Sequence, residues 1–179
     1  MVWRKGNWIS LAEGRYEQKL SARMSLHELT SVVQTKWLED QNREADIVNF
    51  VIDGFMAKEY LIQQVEARGR ITATSSLFAF DGLPRDVIAS HVDAFLTGYS
   101  THRAGGSVNL VPVLACECGS PFCGGVWTRV HVGRRNVNWS GFGFWNGLGP
   151  FSPNYDPMLR VFDGEAYEFI IRNIISQAS

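Results

Sequence analysis

The sequence predicts an α+β fold, in which a small antiparallel sheet packs against several helices. Two observations predict it. Apolar residues recur at three- to four-residue spacing up to about residue 99, whereas short runs separated by turn residues fill the stretch beyond 107. The chain then closes with LRVFDGEAYEFIIRNII, which reads as one last strand followed by a helix from about Gly164.

From the N-terminus, residues 8–22 hold two short runs divided by Glu13-Gly14, and the alternation of Tyr16 with Gln18 predicts a hairpin with one wet face. Ser25 and Glu28 stand at capping-box spacing, and Leu26, Leu29, Val33 and Trp37 continue it, so a helix is expected over residues 26–39. Ile47, Val48, Val51, Ile52, Phe55, Leu61, Ile62 and Val65 extend a helical pattern from Glu44 to Ala67. Asp53-Gly54 falls inside that pattern, and a mid-helix Gly costs about 1 kcal/mol relative to Ala, so the segment is one tolerant helix or two.

Residues 71–80 read as extended, and Val87, Ile88, Val92, Phe95 and Leu96 form an apolar stripe on a helix over 84–98. The polar stretch GYSTHRAGGS at 98–107 separates a helical subregion, 23–99, from a strand-rich one, 108–179, within an expected single domain covering 1–179. The runs 108–115, 126–132 and 136–142 make a three-stranded meander, with a turn at Gly133–Arg135 and the cysteine segment ACECGSPFC joining the first two strands. Residues 141–158 form a long loop rich in glycine, proline and aromatic rings, and Asp163 is placed to cap the final helix.

Composition narrows the function classes. A 45% hydrophobic, 20% charged chain of 179 residues is a globular composition with a real core. Its formal net charge of -1 argues against nucleic acid and anionic membranes as partners. No apolar run has the length of an export signal or a membrane span, and three cysteines within eight positions cannot staple distant loops, so reduced thiols in a cytoplasmic protein are expected. Walker, dinucleotide, H-E-x-x-H and G-x-S-x-G motifs are all missing from the sequence.

Cys116, Cys118, Cys123 and His131 spell C-x-C-x4-C-x7-H, four donors of the kinds that tetrahedral zinc accepts. His102 and His91 are alternative fourth ligands. The one-residue gap between Cys116 and Cys118 is shorter than the usual zinc spacing, so the thiols also read as small fillers around a tight turn. A second candidate is aromatic: Phe144, Trp145 and Tyr155, with Arg134 and Arg135 nearby, have the residue types that dominate binding to a protein partner.

The stretch PVLACECGSPFCGGVWTRVHVGRRNVNWSGF, followed by LRVFDGEAYEFII, resembles a group of small uncharacterised bacterial proteins. The resemblance spans about residues 108–172 and rests on Cys116, Cys118, Gly119, Cys123, Val137, Trp139, Phe142, Phe162, Asp163, Tyr167 and Glu168. It implies the strand-loop-strand order and brings no activity with it. For function, the leading expectation is a non-enzymatic, cytoplasmic protein-binding module, such as an immunity-type inhibitor that neutralises a bacterial toxin. A cysteine-centred zinc-binding protein is the alternative, and a cysteine/histidine-dependent enzyme the third.

Overall fold

The computed structural model describes residues 2–4, 7–9, 25–67, 80–97 and 109–176. It is an α+β fold with antiparallel sheet packed against several helices. β1 (Val2–Arg4) and β2 (Asn7–Ile9) pair with each other in a separate two-stranded ribbon, and the rest of the hairpin expected over 8–22 lies outside the described residues.

The first expected helix is a strand. β3 (Leu29–Leu38) pairs along its whole length with β4 (Arg43–Ile52), where the second expected helix was to begin. The physical reason is local: β3 carries Thr30, Val32, Val33 and Thr35, β-branched residues that favour extended backbone over a helix. The capping-box spacing is also unused as a cap, because the Glu28 N–H donates to the Asp53 carboxylate at 3.0 Å. At Asp53-Gly54 both residues have positive φ, 52° and 86°, as a tight hairpin turn demands. That turn leads into β5 (Phe55–Met56), and only then does α1 (Ala57–Ala67) begin.

β6 (Phe80–Asp81) and β7 (Leu83–Pro84) are consecutive, yet β6 pairs with β8 (Asn109–Cys116) whereas β7 pairs with β4. Gly82 makes the change of sheet feasible, since a Cβ there would lie 2.3 Å from the Val48 carbonyl oxygen. The helix expected over 84–98 is divided at His91 into α2 (Arg85–Ser90) and α3 (Val92–Thr97). The meander is as expected in order, with β8, β9 (Gly125–Val132) and β10 (Asn136–Trp145). Its third strand runs three residues further than the sequence suggested, and β11 (Asp156–Asp163) begins at residue 156, so the expected 141–158 loop shrinks to 146–155. Asp163 caps α4 (Gly164–Ser176), its carboxylate accepting the Glu165 and Ala166 N–H groups at 3.1 and 3.0 Å.

The five-stranded sheet has the order β11-β10-β9-β8-β6. It meets the β3-β4 sheet at Gly82 and again where the His27 N–H donates to the Val161 carbonyl at 2.7 Å. One core serves both sheets and the helices. Trp139 of β10 lies at its centre, edge-on to Phe50 and Phe162 with centroids at 5.5 and 5.2 Å, and its indole N–H donates to the Tyr167 hydroxyl at 3.2 Å. Burial pushes the Tyr167 phenol well above its ordinary pKa, so this hydroxyl stays neutral.

A buried ion pair within β11 is tied to α1 through Tyr60. Arg160, 2% exposed, donates to the fully buried Asp156 at 2.6 Å, lies over the Tyr60 ring at 4.9 Å and hydrogen-bonds its hydroxyl. No helix among the described residues is long and apolar enough to cross a membrane. Asp156→Ala leaves the buried guanidinium uncompensated and is expected to lower unfolding free energy by about 3–5 kcal/mol in urea titration. The double variant Asp156→Leu with Arg160→Met is expected to lose less than that single change.

Candidate metal centre

The cysteine segment is positioned by three neighbouring strands. β8 pairs with β9 so that Ala115 lies opposite Gly125, which brings Cys116 and Cys123 to the same end of the hairpin. On its other side Cys116 pairs with Phe80 of β6. The loop between them turns at Gly119, whose N–H donates to the Cys116 carbonyl at 2.8 Å and whose φ is +79°. A side chain there would be strained and crowded: a Cβ would stand 2.7 Å from the Gln41 side-chain nitrogen and 2.9 Å from Leu38 Cδ1.

Cys118 is held from two directions. Its sulfur accepts the Ser120 N–H at 3.5 Å, and its carbonyl accepts the Gln41 side-chain N–H. Gln41 is oriented in turn by Arg43, whose Nε donates to it at 2.7 Å while Nη2 donates to Asp86 at 2.9 Å. The relay runs from α2 through the start of β4 to a single backbone oxygen of the thiol loop.

The outcome is convergence. The Cys116, Cys118 and Cys123 sulfurs all lie within 4.8 Å of one another, the first two half-buried and the third exposed. Tetrahedral zinc with Zn–S bonds of about 2.3 Å sets its sulfurs about 3.8 Å apart, so roughly 1 Å of closure suffices. The one-residue gap between Cys116 and Cys118 is therefore no obstacle. Hydrogen bonds with the neighbouring thiols, Cys118 first and then Cys116, hold the Cys123 proton and, with the repulsion that its anion would meet from theirs, push this thiol up to about pKa 11.

The other sequence candidates stand elsewhere. His131 lies six residues along β9 from Gly125, roughly 20 Å by strand rise, and is not part of the cluster. His91 packs its ring against Phe122 and Trp127 at 5.8 and 5.7 Å, and burial lowers its pKa. It too is outside the cluster, and His102 lies outside the described residues.

The five residues proposed for a partner do not share one surface. Tyr155 is 4% exposed, with its N–H on the Phe142 carbonyl at 2.9 Å. Trp145 is half-buried edge-on to Trp127, its indole donating to the Gly149 carbonyl at 3.1 Å, whereas Phe144 is exposed beside Phe80. Arg134 and Arg135 are exposed in the β9–β10 turn, about eight residues of strand, or roughly 27 Å, from Phe144.

Gln41, Arg43 and Asp86 are site residues that sequence reasoning missed. No signal in the sequence identifies them, since Gln41 and Cys118 are 77 residues apart and meet only through the fold. No protein-family model, curated protein or solved structure matches the chain at a significant level.

Two outcomes follow from this geometry. In metal-free protein, alkylation of Cys123 is expected to reach half its limiting rate at about pH 11, and at ordinary thiol pH in the C116A/C118A variant, which removes both hydrogen-bonding neighbours. Gly119→Ala is expected to cost about 1–2 kcal/mol from the left-handed backbone alone, read as a lowered urea midpoint.

Proposed function

We propose that this chain is a thiolate metal-binding protein, with zinc held by Cys116, Cys118 and Cys123. The observation that carries the reading is the meeting of three sulfurs within 4.8 Å, on a loop whose backbone is clamped from the β3–β4 side. The donor set fits the ion. Thiolates select zinc and other soft or borderline cations over magnesium or calcium, and the Ser120 N–H that donates to the Cys118 sulfur helps to orient it. Among the described residues the cluster supplies three protein donors, one fewer than tetrahedral zinc takes.

Zinc at this place would tie the end of β8 to both arms of the loop that leads into β9, so its consequence is structural first. Binding requires the thiols to lose their protons, so affinity is expected to increase with pH. The protein-partner reading keeps a narrower footing. Phe122, within the thiol loop, and Phe144, beside Gly124, are 52% and 39% exposed.

Full-length protein purified without added metal is expected to contain close to one zinc per chain by elemental analysis. Serine at any one of the three cysteines is expected to remove most of it. Free zinc at a hundredfold excess over Kd is expected to stabilise the fold by about 2.7 kcal/mol, lost on chelation. Protein free of zinc and indifferent to added zinc would sink the proposal.

A further inference from the structure

The three sulfurs are held unequally. Cys116 is the last residue of a strand paired on both sides, and its carbonyl is engaged by Gly119. Cys118 is half-buried, with its sulfur on the Ser120 N–H and its carbonyl on Gln41. Cys123 is exposed, lies outside both flanking strands, and is followed by Gly124 and Gly125, the first at φ 149°. No carboxylate or imidazole among the described residues joins the cluster.

Resting on the metal-binding reading, we propose that the centre is gated by thiol–disulfide exchange, with Cys123 as the sulfur that meets an incoming small-molecule disulfide. Access decides the order of events. The exposed thiolate is the one that a solvent-borne disulfide reaches first, while the other two are half-buried. Reach decides the second step. Closing a sulfur pair from within 4.8 Å to a bond of about 2.05 Å needs a shift of under about 3 Å, and Cys123 lies in the loop before β9 rather than in a paired strand.

The chemistry balances without a further reactant. The Cys123 thiolate attacks one sulfur of the incoming disulfide, whose S–S bond breaks, so that a mixed disulfide forms and one small thiolate leaves. The thiolate of Cys118 or Cys116 then attacks the Cys123 sulfur and expels the second small thiolate. The protein gives up two electrons, which depart with the two small thiolates. The metal ion, left with one thiolate, dissociates with its charge unchanged.

The test uses the full chain loaded with one zinc and treated with glutathione disulfide without oxygen. Zinc is followed with a chromogenic chelator, and sulfur chemistry by peptide mass. The expected result is loss of one zinc per disulfide formed, with the first glutathione adduct on Cys123 and Cys123 in the final disulfide. Reduction by a dithiol is expected to restore zinc uptake. Zinc and thiols unchanged in large excess of the reagent, or a first adduct on Cys116 or Cys118, would overturn the proposal. A chain that holds no zinc at the outset refutes the metal reading instead, a result distinct from a loaded chain that ignores the disulfide.

Discussion

The register between β8 and β9 decides where the sulfurs sit. With Ala115 opposite Gly125, a nine-residue connection must leave one strand at Cys116 and rejoin the other just after Cys123, so the two thiols share one end of the hairpin. Slipping that register by one residue would turn every side chain of β9 to the opposite face and take Val126 and Val130, both fully buried, out of the core. The core therefore enforces the site. Contacts of Trp139 with Phe50, Phe162 and Tyr167 hold β10 against β4, β11 and α4, β10 holds β9, and β9 sets the loop.

Cys118 depends on a different part of the molecule. Its position relies on Gln41, and through it on Arg43 and Asp86, so the loop is pinned by residues from the β3–β4 turn and α2. Gly119 lets the loop approach that closely, because only a hydrogen fits between it and Leu38 and Gln41. The contrast with Cys123 is mechanical as well as chemical. Cys116 and Cys118 are built into the fold, and Cys123 is the exposed member of the cluster.

How much of this the sequence disclosed depends on burial pattern. The strands after residue 108 were legible because turn residues such as Gly133 separate short runs, and Asp163 caps α4 as its position suggested. β3 was misread because most of its residues are exposed on both faces, so it has no period of two to display, and Leu29, Val33 and Trp37 imitate a helical stripe. β4 failed for the opposite reason. Ile47, Val48, Phe50 and Ile52 are all buried, a run that periodicity cannot assign, and the decisive signal was Asp53-Gly54, a hairpin turn read as a flaw in a helix. At the site the cysteines were visible as ligands, but C-x7-H spacing along an extended strand carries His131 away from them. Gln41 had no local signature at all.

On the metal-binding proposal, the three sulfurs act together on one ion. X-ray absorption at the zinc edge of the loaded full chain tests this, because it counts sulfur neighbours at the metal itself. Three sulfur scatterers at about 2.3 Å with one lighter atom completing the shell are expected. A shell made of nitrogen and oxygen, or one holding a single sulfur, would contradict the proposal.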